Sequence, residues 1–266
     1  MFRSTLVIFF ALSSVCLQAD DMAYAGVNRG PFGITDLNSG AFSSAGNSGQ
    51  TLAGLAVANG SICATSYHAG STLYNVNPSN GALTSIGTTG IDVDDFGSTT
   101  GGMWAVDTSA NLYSINPSSG AATLVGSTGL SLGSWRSLSN NSATLYFANG
   151  ADLYTLNTST GAPTLVGAFN GSAEEGTLLF EDGILYGGDN VNNTVDTINI
   201  VTGVATLGAA SGVGAQFWGL APYPVPTSGS PTPEPASWAL FGLGFAGTLA
   251  ARTRRRKNTQ AQTRSS

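Results

Sequence analysis

Apolar and polar residues follow one another along most of this chain in short bursts. Runs of four to seven residues rich in Leu, Ile, Val, Tyr and Phe alternate with turns rich in Gly, Ser, Asn and Thr. That is strand-and-turn patterning, with no sustained helical period in the body of the chain. One burst is written several times. LYSINPSSGAATLVG occupies residues 112–126, LYNVNPSNGALTSIG residues 73–87 and LYTLNTSTGAPTLVG residues 153–167. Each reads as two strands around a turn.

Aligning the turn glycines gives Gly40, Gly81, Gly120, Gly161 and Gly203, spaced 39 to 42 residues apart. Four residues before each stands Asp36, Asn77, Asn116, Asn157 or Asn199. The chemistry is that of a β-hairpin. The Asn or Asp side chain accepts the backbone amide two residues on, and Pro78 and Pro117 preset φ for a type I turn. The closing Gly takes the left-handed conformation that a bulged hairpin requires.

Each repeat contains two further strands. Residues 51–87 divide into TLAGLAV, SICATSY, STLYNVN and ALTSIG, and residues 175–208 into EGTLLF, GILYGG, TVDTIN and VATLG. Four strands in about 40 residues is the period of a propeller blade. Blades stack face to face, so both faces are buried and apolar runs broken by small residues replace strict alternation. The last repeat stops after QFWGLAPY at 216–223, one first strand. The N-terminal repeat holds MAYAGVN, PFGITD and AFSSAG, strands two to four. Joined, they complete a blade. The sequence therefore predicts an all-β fold, a β-propeller of about five four-stranded blades with one blade split between the N- and C-terminal strands. An open β-solenoid is the rival, but its coils usually repeat every 20 to 30 residues or so. Such repeats resemble those of bacterial secreted propeller-like proteins, which implies architecture and no ligand.

Composition and charge then bear on partners. Charged residues are only 9% of the 266, which leaves Ser, Thr and Asn to supply polarity. From Asp20 to Glu234 fifteen acids face two bases, Arg29 and Arg136, a net −13. Such a body repels nucleic acid phosphates. Six of the other bases follow residue 251.

Both ends read as addresses. The start, MFRSTLVIFFALSSVCLQAD, has Arg3 and an apolar run from Leu6 to Val15, too short to span a bilayer. It predicts a signal peptide over residues 1–19, as an N-terminal signal helix, with AYA at 23–25 as a second cleavage candidate. A lipoprotein reading of Cys16 is poor because Val15 stands where a small residue is wanted. At the other end, PTPEPASWALFGLGFAGTLAARTRRRK carries three parts in order: Pro233-Glu234-Pro235, an uncharged run from Ala236 to Ala251, and the cluster Arg252, Arg254, Arg255, Arg256 and Lys257. The 16-residue run spans about 24 Å as a helix, short of the ~30 Å hydrocarbon core, and flanking side chains can snorkel. A C-terminal transmembrane helix is expected, with the basic cluster on the cytoplasmic side as a stop-transfer signal.

That order resembles the PEP-CTERM sorting signal of Gram-negative bacteria. The resemblance implies recognition by an exosortase, a membrane cysteine protease-transpeptidase. Such an enzyme cuts near Pro233-Glu234-Pro235 and passes the protein to the cell surface or to extracellular polysaccharide. The polar tail NTQAQTRSS departs from the family's abrupt end. The expected organisation is a signal peptide (1–19), a propeller-like repeat domain (22–224), a Pro/Ser/Thr linker (225–232), the sorting signal (233–257) and a polar tail (258–266). An ordinary C-terminal membrane anchor is the alternative for the tail.

Candidate chemistry in the body is sparse, and no cofactor is expected. Cys63 is left alone if Cys16 is removed, so it makes no internal disulfide. Its only possible histidine partner is His68, and a buried strand thiol is the plainer reading. Asp92, Asp94 and Asp95 offer carboxylates for calcium from one stretch, although no EF-hand spacing is present and a solvated acidic loop competes. The oxygen-rich GGDNVNN at 187–193 is a similar candidate. Glu174 and Glu175 with Glu181 or Asp182 are the candidates for a glycan-cleaving carboxylate pair. Trp104, Trp135 and Trp218 are candidates to line one mouth of the propeller and stack on sugar rings, against packing between blades. The threonines share no outward position, which argues against an ice-binding array. The expected function is that of an exported, non-enzymatic cell-surface or matrix protein binding exopolysaccharide. A secreted glycan-active propeller enzyme and an anchored propeller with a protein partner are the alternatives.

Overall fold

The computed structural model describes residues 21–68, 70–171, 173–213 and 216–223; the expected signal peptide, linker, sorting signal and tail lie outside these. Among the described residues twenty strands follow in order. The first three are β1 (Met22–Val27), β2 (Pro31–Asp36) and β3 (Phe42–Asn47). One sheet is built from β4 (Leu52–Ala58), β5 (Ser61–Ser66), β6 (Thr72–Val76) and β7 (Leu83–Thr88). The next holds β8 (Val93–Thr99), β9 (Gly102–Asp107), β10 (Asn111–Ile115) and β11 (Ala122–Ser127). Then come β12 (Arg136–Asn140), β13 (Leu145–Asn149), β14 (Asp152–Leu156) and β15 (Pro163–Ala168). They are followed by β16 (Glu175–Glu181), β17 (Ile184–Asp189), β18 (Thr194–Ile198) and β19 (Ala205–Ala210). The last is β20 (Phe217–Pro222). Strand β20 pairs antiparallel with β1, from Ala23↔Pro222 to Val27↔Phe217, so the order β20-β1-β2-β3 completes a blade from both ends of the body. The fold is a five-bladed β-propeller with one split blade.

The first strands β20, β4, β8, β12 and β16 adjoin in that order and close a ring around the axis. Two blades depart from the expected separation. Strands β12 and β16 pair in parallel through Ser139↔Leu178 and Asn140↔Leu179, which fuses their blades into one eight-stranded sheet. Around so narrow an axis, neighbouring inner strands run in the same direction and come within ladder distance. Side-chain-free positions permit this approach. A Cβ on Gly54 would lie 2.3 Å from Phe96 O, one on Gly97 2.7 Å from Ser139 O, and one on Gly219 2.6 Å from Leu55 N. Each glycine meets the backbone of the next inner strand.

Asn140 ties the ring together. It is 1% exposed, and its amide nitrogen donates to Leu55 O on β4 and, at 2.6 Å, to Leu220 O on β20. Its carbonyl oxygen accepts from the Ser98 hydroxyl on β8 at 2.8 Å, and that hydroxyl in turn accepts Val57 N at 3.1 Å. Together with the β12–β16 ladder, one side chain and its backbone reach all five inner strands.

The apolar core is divided into five clusters, one for each interface between adjacent blades. Because side chains alternate across a strand, neighbouring residues serve different interfaces. Ala23 and Ala25 pack toward the β16–β19 blade, whereas Tyr24 packs toward β4 and β5. Burial on both faces holds for the inner strands; all seven residues of β8 are buried. The fourth strands do not follow it. In β7, β11 and β15 no residue is fully buried, because the blades splay apart at the rim.

The repeated hairpin behaves as its residues imply. Asn116 Oδ1 accepts Ser118 N at 2.9 Å, and Gly120, with φ of 79°, donates its N–H to Asn116 O at 2.8 Å. The repeat also reaches across blades. A Cβ on Gly126, the last residue of the motif, would lie 2.0 Å from Thr160 O in the next blade's turn. So the turn of one copy docks against the rim glycine of the previous one.

Replacing Asn140 by Ala leaves inner-strand carbonyls without their donor and is expected to lower stability by about 2–3 kcal/mol. Asn38→Ala on an exposed turn should change it by less than about 0.5 kcal/mol. Urea unfolding followed by tryptophan fluorescence measures both, and equal midpoints for the two variants would contradict the axial role.

Candidate functional site

Bulges at the start of the inner strands build the mouth of the propeller. Register shifts fall between Leu52 and Gly54 in β4, between Val93 and Asp95 in β8, and between Glu175 and Leu178 in β16. The β1–β20 ladder skips in the same way from Gly219 to Phe217. A bulge adds a residue to one strand and re-aims its side chain. The residues skipped there include Ala53, Asp94, Gly176 and Trp218, and all four line one small cleft of about 40 Å³, part of it open to solvent. The fifth inner strand, β12, contributes Arg136 without a bulge, with Ser134 and Trp135 just before it. Tyr67, which follows β5, also lines the cleft.

Asp94 is the polar centre. Its side chain is 2% exposed; one oxygen accepts Arg136 Nη2 at 2.7 Å, and the other forms an ion pair with Arg136 Nε. The first oxygen also lies 3.3 Å from His68 Nε2 and accepts the Tyr67 hydroxyl at 3.3 Å. Arg136 Nη1 donates to Gly133 O. Burial works against the Arg136 charge, but the hydrogen bond and attraction of Asp94 outweigh it, so its pKa is raised. Three aromatic rings complete the wall. Tyr67 stands edge-on to Trp218 with centroids 4.7 Å apart, and Trp135 does so at 6.4 Å. The Trp218 indole N–H is buried and has no acceptor. Asn190 fixes the strand carrying Trp218: its side-chain amide both donates to Phe217 O and accepts Phe217 N, each at 2.9 Å.

The structure sorts the sequence candidates. Trp135 and Trp218 meet at the mouth, but Trp104 does not. It packs at the edge of the cluster between the β8–β11 and β12–β15 blades, and its indole N–H donates to Thr99 Oγ1 at 3.0 Å. Asp92, Asp94 and Asp95 go three separate ways. Asp92 caps Gly70 N at 2.6 Å, Asp94 takes the arginine, and Asp95 turns inward, where its Oδ1 accepts Phe96 N. Among the described residues no group of three His, Cys, Asp or Glu side chains is arranged to hold a metal ion. In the GGDNVNN stretch, Asp189 is occupied with the amides of Val191 and Asn192.

Glu175 and Glu181 stand at opposite ends of one strand, about 20 Å apart at ~3.3 Å per residue. That is far beyond the separation of about 5–9.5 Å a glycosidase pair uses. Cys63 is buried in the cluster between the β4–β7 and β8–β11 blades, and desolvation pushes its thiol up to about 11, so it is no thiolate nucleophile at neutral pH. Its sulfur lies near Asn75 Oδ1, while His68 serves Asp94. Sequence reading missed Tyr67 and Arg136 as mouth residues. Arg136 had a visible signal, as one of two bases in an acidic body. Tyr67 had none.

A buried acid of another kind appears in the last continuous blade. Glu175, Asp189 and Asp196 are each 0% exposed. The cross-strand pairs Glu175↔Asp189 and Gly187↔Asp196 put them on one face of the sheet. Both Glu175 oxygens lack partners. Desolvation, then repulsion from Asp196 and Asp189, raises the Glu175 pKa well above the ordinary carboxyl range. Asp95 is raised likewise, chiefly by desolvation.

Residues 231–256 match the family model described as the PEP-CTERM protein-sorting motif. The chain thus carries a signal for export and cell-surface sorting, and the motif implies recognition by an exosortase-type processing enzyme. No curated protein matches the chain. A chain from a structure titled "Crystal structure of Nidogen/Laminin Complex" superposes with a TM-score of 0.51 at 11% identity, over 75% of this chain and 96% of that one. This likeness is one of fold, a propeller-type architecture. A structural genomics protein of unknown function from Bacteroides thetaiotaomicron is similar with a TM-score of 0.47 at 16% identity, over 70% of this chain and 49% of that one.

An acid whose folded pKa is raised adds stability that is complete below its unfolded value and lost as pH rises toward the folded value. Unfolding free energy should therefore fall as pH rises above the ordinary carboxyl range, by up to about 1.4 kcal/mol per pH unit for each such group. Glu175→Gln should flatten part of that fall. Urea midpoints across the range test this, and parallel curves for the two proteins would contradict it.

Proposed function

We propose that this protein is a non-enzymatic component of the cell surface or extracellular matrix of a Gram-negative bacterium, and that its propeller engages exopolysaccharide. Residues 1–19 direct export. The run from Ala236 to Ala251 then holds the chain in the inner membrane, with Arg252, Arg254, Arg255, Arg256 and Lys257 on the cytoplasmic side. An exosortase-type enzyme cuts near Pro233-Glu234-Pro235 and frees the body. The observation that carries this reading is the sorting motif at residues 231–256, which follows an acidic propeller body. The non-enzymatic role is supported by the mouth, where Asp94 and Arg136 neutralise one another and His68 leans on the same carboxylate. The hydroxyls of the cleft lining are that of Tyr67, which donates to Asp94, and that of the exposed Ser134.

Mass spectrometry of the C-terminal peptide from extracellular and surface fractions of the host tests the processing. An end near Pro235 is expected in the wild type, and Glu234→Ala should accumulate in the membrane fraction with its tail to Ser266. A wild-type protein that keeps its tail outside the cell would make this a permanently anchored propeller.

A further inference from the structure

The buried acids of the last continuous blade lie in one seam. Leu178, Leu185 and Ile198 of the β16–β19 blade pack against Tyr146, Ala148 and Leu153 of the β12–β15 blade. Side chains alternate along a strand, so Asp189 shares a face with Leu185, and Asp196 with Ile198. Glu175 is the cross-strand partner of Asp189 and joins them there. Its carboxyl lies over Gly187, where a Cβ would meet Glu175 Oε2 at 2.2 Å. Gly187 is in turn the cross-strand partner of Asp196. One missing side chain thus lets a glutamate from β16 reach across β17 toward an aspartate on β18.

The three acids differ in their hydrogen bonds. Asp189 is satisfied as a carboxylate: Oδ1 accepts Val191 N and Asn192 N, and Oδ2 accepts Asn192 Nδ2. Asp196 is half satisfied, with Oδ1 accepting Gly208 N at 3.1 Å and Oδ2 without a partner. Glu175 has no partner on either oxygen. Nothing basic offsets them. Arg136 and His68 are engaged with Asp94, and Arg29 lies in the β1–β2 turn. Strands β19 and β20 carry no titratable side chain. On the facing blade Tyr146 is in the seam, whereas Tyr154 packs on the opposite side of its sheet. Glu174, next to Glu175 in sequence, adds a further buried oxygen without a partner.

We propose that Glu175 and Asp196 share one proton, and that this proton latches the mouth end of the seam between the two blades. Glu175 is the carrier. Its O–H supplies the donor that the free Asp196 oxygen lacks, while the Gly208 N–H favours Asp196 as the carboxylate. Desolvation, then repulsion from Asp196 and Asp189, favours the protonated Glu175. Loss of the proton to solvent leaves like charges in a dry seam with no cation, and the seam must then admit water. It opens at the mouth end, because Glu175 stands at the start of β16. Farther along, the Ser139↔Leu178 and Asn140↔Leu179 pairs hold the inner strands together. The chain carries a signal for cell-surface sorting, so the pH around the latch is that of the surroundings.

Hydrogen exchange of the full exported protein, read by mass spectrometry across pH and corrected for the intrinsic rate, tests this. The β4–β7 blade holds no acid and is the internal control. Peptides from Ala173 to Asp189 should lose protection as pH rises, by up to about tenfold per pH unit for one proton, before the control peptides change. Glu175→Gln keeps a donor for Asp196 and removes the charge, so it should abolish this local loss. Equal loss in both blades would mean global unfolding and would overturn the latch. Protection that does not change with pH would do the same, as would a local loss that Glu175→Gln leaves unaltered. Should the variant fail to fold, the comparison of the two blades in the wild type carries the test.

Discussion

Closure of the inner ring is the constraint on which the rest of the molecule depends. Five strands meet around an axis too narrow for side chains at several positions, and Asn140 occupies what remains. Its amide reaches strands 85 and 80 residues away in sequence, at Leu55 on one side and Leu220 on the other. The bond to Leu220 forms only when the last strand has returned to the ring. The split blade is therefore part of the same device. The β20–β1 ladder brings the two ends of the body together, and the axial amide registers that they have met. A chain lacking either would leave buried carbonyls unpaired, which is costly in a dry interior.

From that ring outward the blades trade constraint for exposure. The inner strands are buried on both faces and pack through five separate clusters, so no single blade holds a core of its own. The rim strands are half open, and there the repeated hairpin takes over as the contact between blades. Its turn carbonyl sits against the neighbour's glycine, as at Thr160 and Gly126. The motif repeats because the same joint is made again and again around the ring.

The body achieves this with almost no basic residues. Arg136 neutralises Asp94 and also attracts Asp95, but Glu175 and Asp196 are buried with no cation paired to them among the described residues. Desolvation raises all three pKa values, which disfavours their charged forms inside the blades. That arrangement makes folding stability depend on pH. It also explains why the one strong ion pair is conspicuous: it stands at the mouth, beside the aromatic rings.

Much of this architecture was legible in the residues. Asn116 and Gly120 announce their turn, the 39–42-residue spacing announces the blade, and the unequal ends announce the split. These features are local or periodic, so the chain states them directly. The sorting motif is equally plain, because a short tag read by another enzyme must be written in consecutive residues. The mouth was only half visible. Trp135 and Trp218 could be suspected, but Trp104 had the same standing and lies elsewhere. Tyr67 had no mark at all, and Asp94 could not be told from Asp92 and Asp95. What separates them is the bulge at the start of β8, which turns one carboxylate to the mouth and its neighbour to the interior. Sequence by itself determined the repeat, the closure and the address, since each depends on spacing along the chain. Only the tertiary structure decided the fusion of two blades, the axial role of Asn140 and the membership of the cleft. Those depend on which backbones approach one another across the ring, and that distance is not recorded in any stretch of neighbouring residues.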